Sequence, residues 1–148
     1  VPFIVHWPGG IEEPGVSGAT LNQSDLLATF AALTGQSLPD DAGEDSYNML
    51  PALKDHGVRN IRNAMVNASG WGSLAIRKGK WKLIDKQEVP SPETQYPSKL
   101  NTGPELYNMK EDPYEENNVF EQHPGVVKEL RSLLSQYKEQ GYSAPRLE

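Results

Sequence analysis

The chain has no cysteine, so disulfides, thiolate metal sites and a cysteine nucleophile are excluded within its 148 residues. No apolar stretch approaches the roughly 18 residues of a membrane-spanning helix. Basic residues are in deficit. Fourteen Lys and Arg against 20 Asp and Glu leave a net charge of -6, which disfavours a nucleic-acid partner. Apolar residues make up only 36%, so the core is modest and loops take a large share, as 12 prolines and 13 glycines also indicate. There is no phosphate-cradling G-x-x-x-x-G-K-S/T. Gly70-Trp71-Gly72 lacks the third glycine and the following helix of a dinucleotide motif. His6, His56 and His123 are far apart and none stands at H-x-H or H-E-x-x-H spacing, which argues against a self-contained zinc site.

What is present reads as two pieces of different character. Val1-Pro2-Phe3-Ile4-Val5-His6-Trp7 is a short β-branched and aromatic run stopped by Pro8-Gly9, the pattern of a core strand. Such a strand needs neighbours on both sides, and its place at residue 1 suggests the back part of a larger protein. Ser24-Asp25 offers N-cap chemistry for a helix. Leu26, Leu27, Phe30 and Leu33 fall at helical spacing on one face, and Gly35 is placed to end it. An acidic loop follows (Asp40, Asp41, Glu44, Asp45), then a short apolar turn or helix at Met49, Leu50 and Leu53. Strand, loop and helix make the ordinary unit of a layered α/β sheet.

The second piece is antiparallel in pattern. Ala64-Met65-Val66 reads as a strand. Ser73 to Arg77 and Lys80 to Ile84 flank Lys78-Gly79, whose glycine suits a tight turn, so they read as a hairpin. Leu74 and Ile76 share one face, as do Trp81 and Leu83, with Lys80 and Lys82 outward. A proline-rich loop spans 89–104. Glu105-Leu106-Tyr107-Asn108 is another strand, closed by Glu111-Asp112-Pro113. The clearest helix starts near Pro124, carries Val126, Val127, Leu130, Leu133, Leu134 and Tyr137 as a stripe, and ends at Gly141. The fold class is α+β. The expected division is 1–60, 61–146, and a cloning scar at 147–148.

Three features are chemically suggestive. The acidic loop carries enough carboxylates for a hard cation but matches no EF-hand, and a solvated loop explains it as well. Arg77, Lys78, Lys80, Lys82 and Lys86 concentrate positive charge on one hairpin. They read either as the wet face of an edge strand or as steering for an anionic substrate. Asn67, Ser69 and Trp71 place an amide, a hydroxyl and an aromatic on a glycine-flanked loop, a mix suited to a binding rim or to a connection with Trp71 tucked on the sheet.

Four segments together resemble the C-terminal parts of the type I sulfatases, the arylsulfatase family. They are Val1 to Gly9, Ser24 to Thr29, Ala75 to Ile84 and Glu105 to Asn118. They occur in the family's order and cover the chain nearly end to end. The resemblance implies the C-terminal part of an alkaline-phosphatase-like α/β sulfatase fold, with a small antiparallel sheet packed against a C-terminal helix. It implies a parent enzyme that hydrolyses sulfate esters with a formylglycine and calcium. It also implies that the formylglycine motif, C/S-x-P/A-x-R, and the metal ligands precede Val1, since no Ser here sits in that motif.

No catalytic and no metal residue is therefore expected in this chain, and Asn67, Ser69 and Trp71 are the candidate substrate contacts. Many bacterial relatives carry His near Asn67, and Pro is common at Ala28. The expected partners are the missing N-terminal catalytic part and, in the parent, a sulfated small molecule or glycan. Self-association through the opening strand is a further expectation, and the family points to a periplasmic or secreted protein. A phosphoesterase of the same superfamily and a non-catalytic binding or scaffold module are the alternatives.

Overall fold

The computed structural model describes residues 3–69, 72–85 and 103–145. They form two compact units, Val1–Asn63 with Tyr142–Glu148, and Ala64–Gly141. The division thus falls three residues beyond the expected one, and the tail from Tyr142 groups with the first unit. The tail is held there by hydrogen bonds: Ser143 and Ala144 N–H donate to the Glu44 carbonyl at 3.0 and 2.9 Å. The Ser143 hydroxyl donates to Asp45 Oδ1 at 2.7 Å, and the Tyr47 hydroxyl donates to the Ser143 carbonyl.

The first unit holds α1 (Asp25–Leu33) and α2 (Leu50–Lys54). No strand forms over residues 3–7, and Phe3, Ile4 and Val5 are exposed. The expected opening strand is corrected here. A β-prone run becomes a strand only against a partner ladder, and no strand of this unit pairs with it. The end of α1 follows the expectation. Gly35 has φ 68°, and Gly35 and Gln36 N–H donate to the Ala32 and Ala31 carbonyls at 3.3 and 2.8 Å. That is a Schellman cap.

The apolar face of α1 is not its buried face. Leu27, Phe30 and Leu33 are exposed, while Asp25 and Thr29 are buried. Polar bonding decided the orientation. Asp25 Oδ2 accepts the Asn22 N–H at 2.7 Å and Oδ1 accepts the Tyr47 N–H at 3.1 Å, and Arg62 pairs with it. Thr29 Oγ1 accepts the Met49 N–H at 2.9 Å. Ser24 makes no side-chain cap bond. The Ser46 hydroxyl does the stapling instead, donating to the Ser24 carbonyl at 2.7 Å and accepting from the Ala28 N–H at 2.8 Å.

The second unit is a four-stranded antiparallel sheet in sequential order: β1 (Met65–Ala68), β2 (Leu74–Lys78), β3 (Trp81–Asp85) and β4 (Glu105–Asn108). The hairpin closes with Lys78 opposite Trp81, so Gly79 and Lys80 form a two-residue turn. Only the glycine has positive φ (55°), as a type II′ turn requires. Helix α3 (Pro124–Gln140) ends at Gly141 with φ 78°. Its Val127, Leu130 and Leu134 pack with Ile76, Leu83 and Leu106 in one buried cluster. The face expected from the stripe is the face observed.

Candidate functional site

The rim candidates stand at the open end of the β1–β2 connection. Asn67 is exposed on β1, opposite Ala75. Ser69 follows the strand and closes the turn: its N–H donates to the Ser73 carbonyl at 2.8 Å, and its hydroxyl accepts the Ser73 N–H at 3.1 Å. Its oxygen is thereby partly committed to the backbone. Trp71 and Gly70 lie outside the described residues, as do Lys86 and most of the proline-rich loop.

The basic hairpin is not an edge. β2 and β3 are the two inner strands, so lysines that block unwanted pairing do not explain them. Their charges are mostly matched locally instead. Lys78 Nζ lies 2.6 Å from Glu129 on α3, and Lys82 Nζ lies 2.6 Å from Glu115. Lys80 sits over the Trp81 ring at 5.0 Å. Arg77 Nε donates to the Gly79 carbonyl at 3.3 Å.

A charged cluster surrounds Tyr107 on the sheet face away from the buried cluster. Lys82 is its cross-strand neighbour, and Glu105 lies two residues before it on the same face. Burial pushes the Tyr107 hydroxyl up to about 12, helped by the charge and hydrogen bond of Glu105 and by the charges of Glu115 and Asp112. A phenol held protonated in this way is a hydrogen-bonding post, not a base at neutral pH.

The segment 112–118 is a built loop. Asp112 Oδ1 and Oδ2 accept the Glu116 and Asn117 N–H groups at 3.0 and 2.9 Å, and these bonds hold its carboxyl below the usual range. Glu115 takes φ 62°, rare for a residue with a side chain. Asn118 Oδ1 accepts from Leu106 and Phe120 N–H at 3.1 and 3.0 Å, and Val119 N–H donates to the Leu106 carbonyl at 2.9 Å. Residues 118–119 thus cover the β4 edge. The Glu105–Asn118 motif has a structural explanation in these contacts.

Among the described residues no group of three or more His, Asp or Glu side chains could hold a metal ion. In the acidic loop, Asp45 anchors Ser143. No helix among these residues is long and apolar enough to cross a membrane.

Over 93% of its length the chain is 41% identical to an N-acetylgalactosamine-6-O-sulfatase of Bacteroides thetaiotaomicron. This chain belongs to the sulfatase family. It is also 29% identical over 91% of its length to arylsulfatase A of Bos taurus. A solved structure from work on glycosaminoglycan metabolism by B. thetaiotaomicron superposes with a TM-score of 0.78 at 39% identity, covering 93% of this chain and 29% of that one. A second, described as a complex with its substrate D-glucosamine-2-N,6-O-disulfate, gives 0.56 at 26% identity, covering 78% and 23%. No protein-family model matches. The chain spans 27% and 29% of the lengths of the two curated sulfatases.

The likeness covers 93% of the chain, so it extends over both units. Sequence inspection missed the Asp25–Arg62 pair and the Tyr107 cluster. The sequence carried no clear signal for the first, because Asp25 opens α1 and an aspartate in the first turn of a helix is ordinary.

Proposed function

We propose that this chain is the C-terminal portion of a longer sulfatase that hydrolyses sulfate esters on a glycan, and that it has a structural and substrate-rim role without catalysing the reaction itself. The identity of 41% over 93% of the chain to a sulfatase of 6-O-sulfated N-acetylgalactosamine carries this reading. Sulfated amino sugars are accordingly the proposed substrate class.

The residues present do not fit the family's formylglycine and calcium. The sequence has no cysteine and no serine in the required motif, and no three-donor cluster stands among the described residues. Both groups would belong to the preceding part of the protein. What this chain would contribute is a folded support and a rim. Asn67, Ser69 and Trp71 are proposed to touch the organic part of the substrate, because the β1–β2 connection offers an exposed amide and a hydroxyl without a charge. The family also favours a periplasmic or secreted protein.

Reading the coding sequence upstream of Val1 tests the proposal. It should contain the C/S-x-P/A-x-R motif. A start codon immediately before Val1, with no such motif upstream, would contradict it.

A further inference from the structure

The two inner strands of the sheet place Arg77 and Lys82 side by side. They are cross-strand partners, one pair inward from the Lys78–Trp81 pair that closes the two-residue turn. The closing pair exchanges hydrogen bonds. Arg77 and Lys82 therefore form the alternate kind of pair, in which side chains approach most closely. Like charges in that position repel. One of the two is neutralised, since Lys82 Nζ meets Glu115 at 2.6 Å. Among the described residues Arg77 forms no ion pair. Its Nε donates to the Gly79 carbonyl at 3.3 Å, which orients the guanidinium and leaves the two terminal nitrogens as donors. The other cations of the hairpin are accounted for, Lys78 by Glu129 and Lys80 by the Trp81 ring.

The surroundings of Arg77 suit a sugar that carries an anion. Side chains alternate along a strand, and Ile76 and Leu83 face the core under α3. Asn67, Ala75, Arg77 and Ile84 therefore share the opposite face of the sheet. Asn67 is exposed there and the other three are half-buried. Ala75 stands opposite Asn67 on one side and Ile84 on the other. Its methyl group leaves a low apolar floor between the Asn67 amide and the Arg77 guanidinium. Such diagonal neighbours stand about 7–8 Å apart, a gap that one sugar residue can bridge. Glu105, across from Ile84 in the same row, is buried and hydrogen-bonded to Tyr107.

We infer that Arg77 is a specificity-determining residue, which binds an oxyanion, carboxylate or sulfate, on the sugar adjoining the sulfated amino sugar. The inference deepens the reading given under Proposed function and rests on it. The two terminal nitrogens of a guanidinium form a fork that takes either oxyanion through paired hydrogen bonds. In a chain of net charge -6, an unmatched cation on an open face is a local exception that draws an anionic ligand to this place.

Three disaccharides test it on the full-length protein. Each presents the same sulfated N-acetylgalactosamine, and the adjoining sugar bears a carboxylate, a second sulfate or no charge. Arg77→Gln should raise KM for at least one charged disaccharide about tenfold or more relative to the neutral one, with kcat little changed. The disaccharide on which the loss falls identifies the oxyanion. Arg77→Lys, which keeps the charge without the fork, should recover only part of the loss. An unchanged ratio of KM values would overturn the inference. So would an equal rise on all three that tracks a lower Tm, which would assign Arg77 to holding the turn. If Arg77→Gln fails to fold, Asn67→Asp at its exposed position answers the same question. A carboxylate beside Arg77 should weaken the charged disaccharides selectively, and equal effects on all three would again overturn the inference. Binding of the charged disaccharides is measured by calorimetry in parallel. Arg77-dependent binding without sulfate release would sink the enzyme reading and leave the oxyanion site standing. Sulfate release without any dependence on Arg77 would do the reverse.

Discussion

Asp25 and Arg62 form a buried ion pair, with side chains 0% and 4% exposed, at the start of a helix whose Leu27, Phe30 and Leu33 face outward. Arg62 also lies over the Tyr47 ring, 4.3 Å from its centre. One guanidinium thus joins the start of α1 to the segment before α2.

Removing one partner should therefore cost far more than an average substitution. Arg62→Ala leaves a buried carboxylate without its cation, at an expected cost of about 3–5 kcal/mol. The double variant with Asp25→Ala should lose less than the sum of the two single changes, because each already removes the pair. Urea unfolding of the four proteins checks this, and simple additivity would show that the pair is not coupled.

The sheet–helix core gives a second expectation. Leu130 is buried among Ile76, Leu83 and Leu106, and burying it contributes about 1.5–3 kcal/mol. Leu130→Ala should destabilise by about 2–5 kcal/mol, including the cavity left behind. A loss below about half a kcal/mol in denaturant titration would mean that α3 is not docked on the sheet.

The pH dependence follows from Tyr107. Its hydroxyl ionises near 12 in the folded chain and near the ordinary 10 when unfolded. The folded state therefore holds the proton more tightly. The stabilisation is complete below about pH 10 and is lost as the pH rises toward 12. In a phenolate absorbance titration, Tyr107 should contribute a late component near pH 12. Tyr107→Phe should remove that late component and flatten the alkaline fall in stability. A Tyr107→Phe variant that instead loses a component near the ordinary pH 10 would contradict the assignment.

Substrate contact at the rim predicts a split in kinetic constants. In the full-length protein, Trp71→Ala and Asn67→Ala should raise KM for a sulfated sugar far more than for a small aryl sulfate, with kcat little changed. Losing an aromatic platform costs roughly 1–3 kcal/mol, by analogy with bases stacked on aromatic side chains. Equal loss on both substrates, tracking a lower Tm, would assign these residues to packing.

Much of the second unit was legible in the sequence, because its elements are defined by local rules. Gly79 and Gly141 mark a turn and a helix end that need positive φ. Leu74 with Ile76, and Leu130 with Leu134, declare their faces by periods of two and near four. The first unit was harder to read. The leucines of α1 follow the same periodicity, but their face is set by the non-local Asp25–Arg62 and Thr29–Met49 contacts, 37 and 20 residues apart. The run at residues 3–7 has strand composition without a strand to pair with. The lysines of the hairpin resembled an edge because their acidic partners, Glu115 and Glu129, lie on later elements. Ser69 was legible as a loop hydroxyl, but its bond to Ser73 N–H depends on the turn itself.

The central claim is that this chain supports a sulfatase without holding its reacting groups. Sulfate release, measured by ion chromatography with a sulfated N-acetylgalactosamine and an aryl sulfate, tests it most directly. The full-length protein should release sulfate, and the purified 148-residue chain should release none above a contaminant-controlled blank. Turnover by the short chain, or an inactive full-length protein that carries an intact formylglycine motif, would contradict the account.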